Sequence, residues 1–427
     1  MLRNATRTLM TSLAVAGVVA ASGIAGAGGA RAAGSDSVRG SQQWIMSMTN
    51  AEQAWQESQG AGVTVGVLDS GVVAGTSDLS GNVESGPDLS GLKTPPSNPS
   101  WGVHGTWMAS IIAGHGHDGG QDGIMGIAPR AKILGIRVLP EKNDPEFSAY
   151  QKESGQRIQQ SLASGIRDAV ADGAKVVSMS LGYTAPSAAV RSAVQYALSR
   201  GTVLVASSGN SGENDMGAAA TTGSGSLAPV SFPAEYPGVL SVAALKSDGS
   251  VASFSSNNLS VQVAAPGFNV PAQGRDGQYW LVSGTSPACA VVAGVAALIK
   301  SRYPSLAPAR VLRAITSTAR STSPGSYNPQ TGFGLIDAAA ALRAAAWFAG
   351  QPAVSAATVH GHFGTGAASP PEPVAPRGPG PLVWFAVLAV ACAAAAAAAA
   401  PRALRYHRAR SEARPSSRPV SYLHQGH

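Results

Sequence analysis

Five short apolar runs set the rhythm of this chain. Residues 63–68, 133–138, 176–180, 203–206 and 239–243 are rich in β-branched residues and short, which predicts buried strands. Between them, 107–113, 156–172 and 187–200 read as helices, and a strongly apolar helix is predicted after Pro287. Strand–helix alternation predicts an α/β fold, with a mainly parallel central sheet and helices on both faces. Functional groups in such a sheet gather at the carboxyl ends of its strands. Residues 211–230, rich in Gly, Ser, Thr and Ala, predict an exposed loop.

The pattern changes at both ends. Arg3 and Arg7 precede an apolar stretch starting at Leu9, and Ala30-Arg31-Ala32 offers a small-x-small cleavage site. Residues 1–32 therefore read as a secretory signal peptide; a cut at Ala25-Gly26-Ala27 and an uncleaved membrane helix are the alternatives. Residues 33–61 form an N-terminal extension with a helix predicted at 50–58. Its Trp44, Ile45, Met46, Met48, Ala51, Ala54 and Trp55 are available to cover apolar surface on the main domain, 62–346. Residues 347–381 form a Pro/Gly/Ala-rich linker that cannot pack a core.

Residues 382–400 then run 19 positions without a charge, about 28 Å as a helix, which predicts a transmembrane helix. Trp384 suits its outer edge. Arg402, Arg405, Arg408 and Arg410 follow, which places the basic tail 401–427 in the cytoplasm and the main body outside. The alanines at 393–400 contribute little to insertion, so a soluble alanine-rich helix is the alternative.

Charge alters the picture less than its total suggests. Of the formal +7, the signal region carries +3 and the tail +5, leaving −1 on everything between. A basic balance confined to the ends excludes a nucleic-acid-binding face. The two cysteines, Cys289 and Cys392, lie in the main domain and in the predicted span, so no disulfide is expected; Cys289 reads as a small buried apolar residue.

Three strings carry candidate chemistry: Val67-Leu68-Asp69-Ser70-Gly71, His104-Gly105-Thr106 and Gly284-Thr285-Ser286-Pro287-Ala288. A serine hydroxyl is a poor nucleophile at neutral pH. It needs a base, and the base needs a carboxylate to set its tautomer and stabilise it once protonated. Ser286, His104 and Asp69 supply those roles. Asp69 ends a predicted strand, while His104 and Ser286 each open an apolar helix, Ser286 as a candidate N-cap with Pro287 in the first turn. Acyl transfer also needs a donor for the developing oxyanion, and Val203-Leu204-Val205-Ala206-Ser207-Ser208-Gly209-Asn210 ends a buried strand in a candidate one, Asn210.

The order Asp, His, Ser resembles that of the subtilisin-like serine proteases, and more closely their membrane-anchored bacterial branch, the mycosins of type VII secretion. The resemblance covers about residues 62–342 and includes Gly126-Ile127-Ala128-Pro129-Arg130, Val177-Ser178-Met179-Ser180-Leu181-Gly182, Phe232-Pro233-Ala234-Glu235-Tyr236-Pro237-Gly238 and Ala264-Ala265-Pro266-Gly267. It implies a subtilisin-like three-layer fold and serine endopeptidase activity through an acyl-enzyme, without a cofactor. It also implies oxyanion donors at Asn210 and the Ser286 N–H. Substrate contacts are implied at Ser180, Leu181, Gly182, Ser208 and Gly209, with a protein or peptide adding as a β-strand.

The partners implied are the substrate, the membrane and the type VII secretion machinery. A structural part of a secretion complex, with little catalytic duty, is the alternative function. The chain departs from the family in having Ala290 where a proline is usual, Pro287 directly after the serine, and Trp107 three residues after the histidine. His115 and His117, in His-Gly-His-Asp118, have no evident third ligand and read as a solvated loop, as do His360 and His362.

Overall fold

The computed structural model describes residues 35–120, 122–152, 155–212, 227–321, 327–352 and 380–412. The predicted signal peptide lies outside them, as do most of the linker, most of the 211–230 loop, the end of the tail, and His360 and His362. The chain forms two units, Met1–Ala353 and Val354–His427.

In the first unit the strands are β1 (Thr64–Asp69), β2 (Val83–Asp88), β3 (His115–His117), β4 (Asp122–Met125), β5 (Lys132–Arg137) and β6 (Val176–Met179). They continue with β7 (Val203–Ser207), β8 (Val239–Leu245), β9 (Val263–Pro266), β10 (Val270–Gln273) and β11 (Tyr279–Val282). Seven of them make one sheet in the order β2-β5-β1-β6-β7-β8-β9, with every neighbouring pair parallel. The other four pair as the small antiparallel sheets β3-β4 and β10-β11.

The helices of this unit are α1 (Ser35–Thr49), α2 (Ala51–Ala54), α3 (Val103–Ala113), α4 (Phe147–Lys152) and α5 (Gly155–Ala171). After them come α6 (Ala188–Ser199), α7 (Thr285–Arg302), α8 (Pro308–Ser317) and α9 (Ala338–Gly350). Side chains alternate across the central strands, so β1, β5, β6, β7 and β8 each feed two cores. Val65, Val67, Val203, Val205 and Val242 pack with α3 and α7 on one face. Leu68, Val177, Met179, Leu204 and Ala206 pack with α5 and α6 on the other. α7 is apolar around its whole circumference and is buried from Thr285 to Lys300, which suits a helix at the centre of a large core. The expected three-layer fold is therefore the observed one.

The extension differs from its prediction. Its helix is α1, ending at Thr49, and not 50–58; Asn50 adopts a left-handed conformation (φ 53°) that breaks the run, leaving only the single turn α2. Apolar spacing continues through Asn50, which is why the break is invisible in the pattern. Arg39 donates to the carbonyls of Gly123 and Asp122, both at 3.0 Å, and Gln42 accepts from the Met125 N–H at 3.0 Å, docking α1 on β4. Ile45, Met46, Ala51 and Ala54 join the main core. At the other end α9 runs to Gly350, four residues past the expected domain boundary, with Asp337 accepting from the Ala340 N–H as its cap.

Among its described residues the second unit forms one helix, α10 (Gly380–Glu412). It covers the predicted span and continues through Pro401 into the predicted tail. Among the described residues no helix is long and apolar enough to cross a membrane.

Candidate active site

Asp69, His104 and Ser286 come from three elements that meet at the carboxyl edge of the sheet. Asp69 is the last residue of β1, where the strand order switches sides between β5 and β6. His104 is the second residue of α3 and Ser286 the second of α7, and these two helices pack on each other.

The Asp69–His104 contact is formed. Both carboxylate oxygens lie 2.9 Å from Nδ1, with Asp69 buried and the imidazole 17% exposed. Burial alone would lower the pKa of the imidazole. The charge and hydrogen bond of Asp69, with the charge of Glu141 behind them, outweigh burial and hold it at about 9. Ser286, on α7, is buried; its hydroxyl donates to the Ser180 carbonyl at 3.4 Å, a long bond, and among the described residues it makes none to His104. Two arms of the expected row are thus seen differently, one closed and one open.

Helix geometry corrects one expectation. Ser286 is not the N-cap of α7; Gly284 is, with φ 155° and ψ 172°, a backbone region open essentially to glycine alone. The cap comes from elsewhere. Asn210 Oδ1 accepts from both the backbone N–H and the hydroxyl of Thr285, each at 2.9 Å. Because Oδ1 is committed to two donors, the amide must present Nδ2 on its opposite side, towards Gly284, where a Cβ would lie 3.4 Å from it. Ser286, at the second helical position, has no carbonyl within α7 to receive its N–H. Among the described residues, two donors, Asn210 Nδ2 and the Ser286 N–H, are therefore left free at the start of α7.

Ser180, Leu181 and Gly182 continue β6 beyond its last paired residue and belong to no strand ladder. Ser180 Oγ donates to the Ser286 carbonyl at 3.2 Å, tying this edge to α7. Beside it is a cavity of about 60 Å³ lined by Gly182, Tyr183, Ser208, Gly209, Asn210 and Ser231, among others.

A Cβ on Gly105 would come within 2.0 Å of the Gly71 carbonyl oxygen and 3.1 Å of Asp69 Cβ. Gly105→Ala must therefore push α3 away from β1. It is expected to lower stability by about 1–3 kcal/mol, the range for overpacking, and to loosen the Asp69–His104 contact. Urea unfolding midpoints and peptidase rates on one preparation check both effects.

Three features escaped the sequence. Glu141 accepts the His104 backbone N–H at 2.6 Å, although it sits in a Pro-Glu-Lys loop with no recognisable signal. Trp107 meets the His104 ring edge-on, at 6.3 Å between centroids. His117 is more than a solvated loop residue: buried Asp78 lies 2.7 Å from its Nδ1, and ligand atoms of His117, Asp118 and Asp122 lie within 4.8 Å of one another. Cys289 is fully buried, and burial pushes its thiol up to about 11, as suits an inert core residue.

Comparison with known proteins bears on this geometry. The Subtilase family matches residues 60–335. Subtilisin DY of Bacillus licheniformis is 35% identical over 288 residues, spanning 67% of this chain and 93% of that protein. Mycosin-3 of Mycobacterium tuberculosis is 34% identical, spanning 69% of this chain and 70% of that protein. Among solved structures, MycP1 with the N-terminal propeptide removed aligns with a TM-score of 0.58 at 31% identity, covering 70% of this chain and 96% of that one. MycP3 protease from the type VII (ESX-3) secretion system aligns at 0.59 and 30% identity, covering 70% of this chain and 87% of that one. The chain belongs to the subtilase family, as a subtilisin-like serine endopeptidase similar to the mycosins.

Proposed function

We propose that Ser286 is the nucleophile, His104 the general base and Asp69 the carboxylate that fixes the base. The observation that carries this reading is the bidentate approach of Asp69 to Nδ1, which leaves Nε2 free to accept a proton. In the reaction the Ser286 hydroxyl leaves the Ser180 carbonyl and gives its proton to Nε2 as Oγ bonds the scissile carbonyl carbon. The imidazolium then protonates the departing amine, leaving an acyl-enzyme. Water repeats the sequence: its proton passes to Nε2, its oxygen bonds the acyl carbon, and Oγ departs carrying the proton back.

Asn210 Nδ2 and the Ser286 N–H receive the oxyanion in both halves. Asn210→Ala is expected to lower kcat by about 10²–10³ with KM little changed, as the loss of one oxyanion donor does. Steady-state kinetics on a fluorogenic peptide measures it; an unchanged kcat would remove Asn210 from the mechanism. Ser180, Leu181 and Gly182 take the substrate backbone as an added strand, while Ser208 and Gly209 wall the pocket for the residue before the scissile bond.

We further infer an extracytoplasmic position in a bacterial cell membrane, with the peptidase domain (62–346) tethered through the linker 347–381 to a single span at 382–400. Supporting this are the signal-like residues 1–32 and the uncharged stretch followed at once by arginines. Against it stands the finding that, among the described residues, no helix is long and apolar enough to cross a membrane. Full-length protein that stays in the membrane pellet after alkaline extraction supports the tether, and release into the supernatant contradicts it.

Similarity to MycP1, described as an essential component of the type VII (ESX-1) secretion system, supports a place beside such machinery. It also favours a second reading, in which the domain stabilises the secretion complex. Comparing complex assembly in cells carrying wild type or Ser286→Ala separates the two: assembly independent of Ser286 assigns the domain a structural part, and assembly lost with Ser286 ties it to cleavage.

A further inference from the structure

We propose that Glu141 is a positioning residue for His104, clamping the first turn of α3 by its backbone and keeping a second negative charge beside the imidazole. This rests on the reading of His104 as the general base.

The argument starts from an uncapped helix. α3 begins at a glycine N-cap, Gly102, which has no side chain to receive the N–H groups of the first turn. Two side chains from outside the helix receive them. Glu141 Oε1 accepts from the His104 N–H at 2.6 Å, and Ser70 Oγ accepts from the Gly105 N–H at 3.2 Å. The Ser70 side chain also bonds to Glu141, and the Ser70 N–H donates to Asp69 Oδ1 at 2.7 Å. Asp69, on the imidazole, and Glu141, on the backbone N–H of the same histidine, are thus joined through one serine. Displacing Glu141 would move the backbone of the base itself.

The loop bearing Glu141 is held in turn. Asp144, three residues on, accepts from buried Arg137 Nη2 at 2.7 Å, and Arg137 Nη1 donates to Asp88 at 2.9 Å. Arg137 is therefore spent on other carboxylates, and among the described residues Glu141 has no arginine or lysine partner. Burial pushes the Glu141 carboxyl up, with His104 opposing the shift. A serine or asparagine could cap the helix without burying a second carboxylate so near Asp69. The charge makes sense if its beneficiary is the imidazolium formed during catalysis.

Other ionisable groups near His104 do not compete for that part. Asp69 faces it from β1. Cys289 on α7 stays a neutral thiol, pushed up to about 11. The proton acceptor is the neutral imidazole, so kcat/KM rises with pH through the His104 pKa, near 9, and levels off above it. Removing the charge of Glu141 lowers that pKa and moves the acid limb to lower pH.

Glu141→Gln keeps an acceptor for the His104 N–H but removes the charge, whereas Glu141→Ala removes both. Two readouts on the full chain decide: the pH dependence of kcat/KM on a fluorogenic peptide, and titration of the ring nitrogens of labelled His104 in the Ser286→Ala background. Both substitutions should move the acid limb and the imidazole titration down by about one pH unit. The alanine variant should in addition lose on the order of 10²-fold in kcat at the plateau, as a misplaced base does. Superimposable wild-type and Gln titrations would overturn the proposal. A wild type that hydrolyses no peptide would instead sink the general-base reading, and the imidazole titration would still report whether Glu141 sets the charge state of His104.

Discussion

Ser286→Ala is expected to lower kcat by about 10⁶, the scale of the same loss in a subtilisin. Neither nucleophile that touches or follows Ser286 can replace the hydroxyl. Cys289, one helical turn on, is fully buried and its thiol is held protonated. Ser180 Oγ is engaged with the Ser286 carbonyl. The change should not disturb folding, because Ser286 Oγ makes a single long bond of 3.4 Å, to the Ser180 carbonyl. An unchanged melting curve with peptide hydrolysis near background is the expected pair of observations. Retained hydrolysis would place the nucleophile elsewhere.

Asp69→Asn is expected to cost about 10⁴ in kcat while preserving the fold. The reason is local. Asp69 Oδ1 accepts the Ser70 N–H at 2.7 Å, so an asparagine would keep its oxygen there and turn its NH₂ towards His104 Nδ1. An NH₂ facing Nδ1 requires that nitrogen to accept, which puts the ring proton on Nε2 and leaves no base for Ser286. The loss of the carboxylate charge also lowers the imidazole pKa, so the deficit cannot be recovered by raising the pH. Kinetics from pH 6 to 10 checks this, and a rate that recovers to the wild-type level at high pH would contradict it.

Strands whose side chains are buried on both faces are legible in the sequence. The predicted 133–138 and 176–180 differ from β5 and β6 by a residue at their ends. β2 was not readable: Val-Glu-Ser-Gly-Pro-Asp is half exposed and carries turn residues, and only pairing with β5 makes it a strand. Asp69, His104, Ser286 and Asn210 stood out because each sits in a local string that suits its chemistry. Glu141 did not, since its partner is a backbone N–H 37 positions away and no spacing rule links them. The commitment of Asn210 Oδ1 to Thr285, which aims the free amide, is likewise a tertiary fact.

One measurement reaches the central claim most directly: fluorophosphonate labelling of the folded full-length chain, with the adduct located by peptide mass. Convergence of a carboxylate, an imidazole and a hydroxyl predicts a single adduct, on Ser286, that disappears in His104→Ala. An absent adduct, one on another residue, or one indifferent to the loss of His104 would contradict it.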